Sequence, residues 1–249
     1  IENRIGGMTA DVLQRLRIII GPSGATSLLE AAAHVLKPGI VITSDPMYYI
    51  YCNCLERLGF RVLTVAEDEQ GMRDDLLEQK LAALGERAQD ISFFYLVTVN
   101  NPTGSILSNR RRKSIVGIAA GLSRRLGRKI PIVFDRAYED LIFDESVEPP
   151  ISGLLQDDLG LVYEVGTLSK ILSPAMRIGY MIGAAGPFLD AMVQKTSDVG
   201  FSAPLIAQEV ASYMLDHHIG LQVEKVRAGY REKAAAVRGR IDAELAPYL

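Results

Sequence analysis

Residues 166–183, GTLSKILSPAMRIGYMIG, decide how this chain is understood. Lys170 stands between the hydroxyl residues Thr167 and Ser169, and Arg177 follows seven positions after it. The run IGYMIG that comes next is apolar and glycine-rich, the pattern of a strand entering a core. A lysine beside a buried strand is costly unless its charge is used or removed. Condensation of the amine with an aldehyde is one such use. An arginine at this distance suits a phosphate, because its planar fork gives two parallel hydrogen bonds to an oxyanion. Taken alone, the stretch reads equally as a surface Lys and Arg flanking an ordinary strand.

Upstream, apolar runs alternate with amphipathic ones. Strands are expected over 17–20, 40–43, 60–66, 91–99, 130–138, 161–166 and 178–183, several of them continuously apolar. Between them lie helical patterns: ATSLLEAAAHV, a helix through about Leu58, RDDLLEQKLAALGERA, and SNRRRKSIVGIAAGLSRRLG opened by Ser108 as its cap. Unbroken apolar strands separated by helices indicate an α/β sheet covered on both faces. Residues 9–16 read as a helix capped by Thr9 that runs into strand 17–20 with no turn residue between, so we expect residues to be missing at that junction. After Gly186 the chain reads as helical, with breaks near Gly200-Phe201 and Gly220. The division expected is an incomplete N-terminal segment over 1–20, a large domain over 21–215, and a helix over 216–249 leading into a further small domain.

Composition narrows the class. A formal net charge of −3 offers no electrostatic reason for a nucleic-acid partner, and the basic cluster Arg110–Lys113 with Arg124-Arg125 reads as a solvated helix face. Cys52 and Cys54 are too close in sequence to staple distant segments, which fits a reducing, cytoplasmic setting. Three histidines and no C-x-x-C give no metal-ligand cluster, and His217-His218 reads as a solvated pair at a helix end. No apolar run reaches membrane-spanning length, and no signal-peptide pattern opens the chain.

Four segments fall at expected strand ends, where α/β sheets place their ligands. Ser23-Gly24-Ala25-Thr26 opens a helix, whose free N–H groups face an anion or simply make a capping turn. Asn101-Pro102 marks a turn. Asp135 closes an apolar strand, either as a carboxylate needing a cation or as a cap or salt-bridge partner of Arg136; Tyr138 is near enough to join it. Lys170 ends the fourth strand.

The segments SGAT, DPMY, NNPTG, DRAY and SKILSPAMRIGY, in this order, give the chain a close resemblance to the large domain of the class I/II aminotransferases, the fold-type-I group that uses pyridoxal phosphate. NPTG alone is a weak tetrapeptide; joined to D-x-A-Y and S-K-x₆-R it is specific. The resemblance implies a three-layer αβα sandwich with a mostly parallel sheet, plus the start of a small C-terminal α/β domain. It implies that Lys170 forms the Schiff base and moves the proton between the substrate Cα and C4′. Asp135 would pair with the pyridine nitrogen, Tyr138 and Asn101 with the phenolic oxygen, and Tyr48 would stack on the ring. Gly24, Ala25, Thr26, Thr167, Ser169 and Arg177 would hold the phosphate. It further implies amino-acid and 2-oxo-acid substrates exchanged by a ping-pong mechanism and a homodimer in which the loop FSAPL (201–205) nears the partner's cofactor.

Departures from the family pattern are Thr167-Leu168 where Ser-Phe is usual, Ala175 where Gly is usual, and Arg136, which is expected to alter the substrate side of the pocket. The family's arginine for the substrate carboxylate belongs to a part this sequence does not contain. Two other readings share the scaffold, because fold does not fix reaction. One is a pyridoxal-phosphate-dependent lyase or cyclase, and the other a cofactor-binding sensor domain of a transcription regulator.

Overall fold

The continuous apolar runs become strands buried on both faces because helices cover each side of the sheet. The computed structural model describes residues 7–245 and residue 248. Its strands are β1 (Leu16–Ile20), β2 (Ile40–Asp45), β3 (Arg61–Asp68), β4 (Gly71–Met72), β5 (Ile91–Val97), β6 (Ile132–Asp135), β7 (Val162–Thr167) and β8 (Gly179–Ala184). They form one sheet in the order β1-β8-β7-β6-β5-β2-β3-β4. The pairs from β3 through β2, β5 and β6 to β7 are parallel, and β8 runs antiparallel between β7 and β1.

Side chains alternate between two cores. On one face Phe93, Tyr95, Val97 and Val133 pack with Leu28 and Leu29 of α2 (Gly24–Val35), α3 (Tyr49–Arg57) and α6 (Pro187–Val199). On the other, Phe94, Leu96, Ile132 and Phe134 pack with α4 (Asp74–Leu84) and α5 (Asn109–Leu126). This is the expected αβα sandwich. Ser108 caps α5 by accepting from the Arg111 amide, and Gly127 ends it in the left-handed region at φ 64°. Both ends follow from chemistry: a hydroxyl satisfies a free N–H, and glycine tolerates positive φ.

Several expectations are corrected. The first helix, α1 (Ala10–Leu13), is shorter than expected, and Gln14 and Arg15 make the turn into β1. The polar turn after β3 contains the short strand β4, antiparallel to β3. The break between α7 (Leu205–His217) and α8 (Ile219–Glu244) falls at His218, and Gly220 lies inside α8. The face of α5 is not wholly solvated: Arg111 and Arg112 are 6% and 0% exposed. Arg111 forks onto the Asp68 carboxylate and drives its pKa down to about 2. Helix α8 buries none of its residues; Arg227 and Arg231 tie it to the carbonyls of Asp140 and Phe143 at 2.8 and 2.7 Å.

Where β8 begins, backbone meets backbone. A Cβ on Gly179 would fall inside the radius of the Ala25 amide nitrogen and the Gly24 carbonyl carbon. Its φ lies outside the left-handed region, so the requirement is steric only. Gly179→Ala should therefore force β8 and α2 apart. We expect a loss of about 1–3 kcal/mol, read as a lowered unfolding midpoint; a midpoint equal to the parent's would show that the contact is not tight.

Candidate active site

One end of the sheet collects the sequence-predicted residues. There β6 closes on Asp135, which lies in register with Val97 of β5 and Val165 of β7. At the same end β7 closes on Thr167, paired with Gly179 of β8, and β1 leads into the start of α2. Parallel strands all point their carboxyl ends this way, which is why residues distant in sequence converge.

Asp135 is the electrostatic centre. The residue is 5% exposed, yet its carboxylate is not orphaned: the Tyr95 hydroxyl donates to Oδ2 at 2.9 Å and the Ala137 amide to Oδ1 at 3.0 Å. Burial pushes its pKa up, while those two donors and the positive charge of Lys170 pull the other way. Lys170 is exposed, with Nζ 5.2 Å from the Tyr138 ring centroid. The Asn101 side-chain amide donates to the Tyr138 hydroxyl at 3.4 Å. Tyr48, half-buried at the start of α3, has its hydroxyl pKa raised by burial and then by Tyr138 and Asp135, so it belongs to the same cluster. Lys170, Asp135, Tyr138, Asn101 and Tyr48 are thus brought together.

An anion cradle lies across β7 and β8. The Arg177 guanidinium donates to the Ser23 carbonyl at 3.1 Å, its hydroxyl at 3.3 Å and the Pro174 carbonyl at 3.3 Å. The Gly24 amide donates back to the Arg177 carbonyl at 2.6 Å. Gly24 adopts φ 66°, and a Cβ there would press on Arg177 Nη2 at 3.1 Å. Ala25 and the exposed Thr26 follow in the first turn of α2, whose Ser23 cap makes no side-chain bond to the helix N–H groups. The Thr167 hydroxyl donates to the Ile178 carbonyl at 2.8 Å and lies 3.0 Å from the Ser169 hydroxyl. It therefore braces Ser169 and the Lys170 turn. A helix N-terminus, an arginine and two hydroxyls make a fit receptacle for a phosphate.

The other side of β6 holds a buried ion network that sequence reasoning missed. Arg136 ion-pairs with Glu139 and with Glu164, the latter at 3.0 Å, and Arg112 donates to Glu139 at 2.5 Å. Glu164 also accepts from the Ser152 hydroxyl at 2.9 Å and the Gly153 amide at 2.8 Å. Burial opposes ionisation of Glu139, but Arg136 and Arg112 hold its carboxyl below the ordinary value. Arg136 is thereby turned away from the substrate side, contrary to expectation, because its neighbour Asp135 takes the opposite face of the strand. It forms no salt bridge with Asp135. The signals available were the i,i+3 pair Arg136/Glu139 and Glu164 inside the apolar run LVYEVG. Tyr95 was missed because it sits in the middle of a strand that reads as core.

Fold and site together define an α/β domain that presents a lysine, a buried carboxylate and an anion cradle at one sheet end. The chain belongs to the aminotransferase class I and II family, whose match spans residues 9–248. It is 30% identical over 208 residues to a 2-aminoadipate transaminase of Thermus thermophilus, covering 82% of this chain and 49% of that protein. It is 27% identical over 198 residues to the uncharacterized HTH-type transcriptional regulator YisV of Bacillus subtilis, covering 76% of this chain and 37% of the regulator. The crystal structure of LysN, an α-aminoadipate aminotransferase of Thermus thermophilus complexed with N-(5'-phosphopyridoxyl)-L-leucine, superposes with a TM-score of 0.77 at 26% identity. That superposition covers 92% of this chain and 57% of LysN. This chain spans about half the length, or less, of the curated relatives it matches.

The raised pKa of Asp135 has a stability consequence. The folded chain binds this proton more tightly than the unfolded one. Its contribution therefore favours folding below the unfolded carboxylate pKa and fades as pH rises through the folded value. In cofactor-free protein, Asp135→Asn should match the parent's melting temperature in acid and exceed it towards neutral pH. A gap that does not change with pH, or that favours the parent at neutral pH, would contradict the burial argument.

Proposed function

We propose that the protein is a pyridoxal-phosphate-dependent aminotransferase moving an amino group from an amino acid to a 2-oxo acid by a ping-pong mechanism through Lys170. The observation that carries this reading is the buried Asp135 carboxylate near Lys170, at the same sheet end as Arg177 and the start of α2. The bound cofactor supplies an electron sink for the negative charge left when the substrate loses its Cα proton.

The chain's own groups fit that chemistry. Asp135, desolvated and fixed by Tyr95 and Ala137, holds a proton at the ring nitrogen. Such a charge acts most strongly where water is excluded. Tyr138 and Asn101 would hydrogen-bond the phenolic oxygen, and Tyr48 would pack on the ring. Gly24, Ala25, Thr26, Ser169 and Arg177 would hold the phosphate, with Thr167 bracing Ser169. Lys170 Nζ would anchor the cofactor and take up the proton lost from the substrate Cα. Borohydride reduction of the holoprotein should fix the cofactor mass on the peptide containing Lys170. An amino acid alone should bleach the lysine-bound chromophore, and a 2-oxo acid should restore it. Cofactor mass on another lysine would sink the assignment. Release of ammonia or of a β- or γ-substituent in place of the second half-reaction would favour the lyase or cyclase reading.

A regulator's sensor domain is the second reading, supported by the similarity to YisV. It predicts cofactor binding at Lys170 without turnover of any amino acid and 2-oxo acid pair, and a DNA-binding segment elsewhere in the full chain.

The protein works as a cytoplasmic homodimer. Among the described residues no helix is long and apolar enough to cross a membrane, and Cys52 and Cys54 are free thiols. Phe201, Leu205, Ile206, Val210 and Tyr213 are 76%, 71%, 77%, 50% and 58% exposed, an apolar patch running from the FSAPL loop along α7. Apolar patches of this kind mark association surfaces. Ile206→Glu should shift the sedimenting species from dimer to monomer and lower activity with it. A parent protein that sediments as a fully active monomer would overturn the dimer.

A further inference from the structure

At the sheet end remote from Lys170, a cavity of about 880 Å³ opens where α2 ends, β7 begins and α6 starts. Four cations line it, Lys37, Arg61, Arg128 and Lys129, against the single carboxylate of Asp90. In a chain of net charge −3 this is a local reversal of sign. Asp90 is already engaged by Arg61 at 2.8 Å, and Arg128 donates to the carbonyls of Gln89 and Ile91 at 2.8 and 2.5 Å. Lys37 and Lys129 are exposed and have no ion-pair partner among the described residues.

Two further features face the same space. Tyr163 on β7 is 5% exposed, and its hydroxyl has no hydrogen-bond partner among the described residues. Burial, with Asp157 nearby, pushes that hydroxyl up to about 12, so it remains a donor at neutral pH. Its ring meets Phe188 edge-on at 4.5 Å, giving the cavity an aromatic wall. The thirteen-residue helix α6 also begins here, behind Gly186, with no side-chain cap on its first N–H groups. An uncapped helix start of this length attracts negative charge. The ring is buried, but the hydroxyl opens on the cavity, where a ligand can accept from it.

We infer that this cavity binds a phosphate-bearing small molecule of nucleotide size. Lys37, Lys129 and the start of α6 take the phosphate, Tyr163 donates to the ligand, and Phe188 packs on its planar part. Two ammonium groups without ion-pair partners and a helix start, all lining one cavity, suit a dianion better than a single carboxylate. The volume exceeds what an inorganic ion would fill, and the aromatic wall suits a flat ring. The site is separate from the Arg177 cradle and does not depend on the reaction proposed for Lys170.

The test is calorimetric titration of AMP into the full-length, cofactor-saturated protein. We expect saturable binding at one site per chain. The Lys37→Ala/Lys129→Ala variant should weaken it at least tenfold, because it removes both charge-assisted donors to the phosphate. Tyr163→Phe keeps the ring packing and should weaken it about fivefold, the value of one ordinary hydrogen bond. Arg177→Ala should leave it unchanged, and adenosine, lacking the phosphate, should bind far more weakly than AMP. Far-UV circular dichroism checks that each variant is folded. The inference is overturned if AMP shows no saturable binding at millimolar concentration, if the double lysine variant binds as the parent does, if adenosine binds as well as AMP, or if Arg177→Ala abolishes binding.

Discussion

The candidate site is built around one carboxylate held where water is scarce, at a cost to the fold. Asp135 closes β6 between β5 and β7, in the middle of the sheet, where a bare charge would be costly. It is tolerated because Tyr95 and Ala137 donate to its two oxygens and Lys170 lies across the space it faces. Tyr95 comes from within β5, Ala137 from just beyond β6 and Lys170 from just beyond β7, so three neighbouring strands must pair before the site exists. On the reverse side of the same strand, Arg136 is locked between Glu139 and Glu164. The alternation of a strand thus divides two neighbouring residues between chemistry and structure. Removing one partner of such a buried network typically costs about 3–5 kcal/mol, because the other charge is stranded.

The cradle proposed for a phosphate is shaped by close approach as well as by charge. Gly179 lets β8 lie directly against the start of α2, and Gly24 leaves room for the Arg177 fork. Arg177 itself adopts φ 54°, an unusual value for a residue with a side chain. The reversal of β8 against its neighbours sets this geometry. The chain stays at the active end of the sheet from Lys170 to Gly179, where β8 starts back, so lysine and arginine reach one region from a single turn.

Much of this was legible in the sequence. Continuous apolar runs such as ISFFYLV and IVF are strands because a sheet covered on both faces needs no polar alternation. Asn101, Asp135, Tyr138, Lys170 and Arg177 were readable because they interrupt or end those runs with chemistry a core does not need. Tyr95 was not, since a tyrosine in an apolar strand looks like any other buried ring. Arg112 was not, because four consecutive basic residues suggest solvent, although its spacing to Ile115, Val116 and Ala119 puts it on the buried face of α5. The turn at Gln14-Arg15 carries no Gly, Pro or Asn to announce it, whereas the break at His218 falls two residues from the Gly220 that signals it.

The proposed function turns on one residue role: Asp135, buried beside Lys170, would keep the cofactor's ring nitrogen protonated. The direct measurement is the ¹⁵N chemical shift of ring-labelled pyridoxal phosphate bound to the protein at neutral pH. A pyridinium shift in the parent that moves to the neutral-pyridine position in Asp135→Asn is the result predicted here. A neutral-pyridine shift in the parent, with the cofactor bound at Lys170, would contradict it.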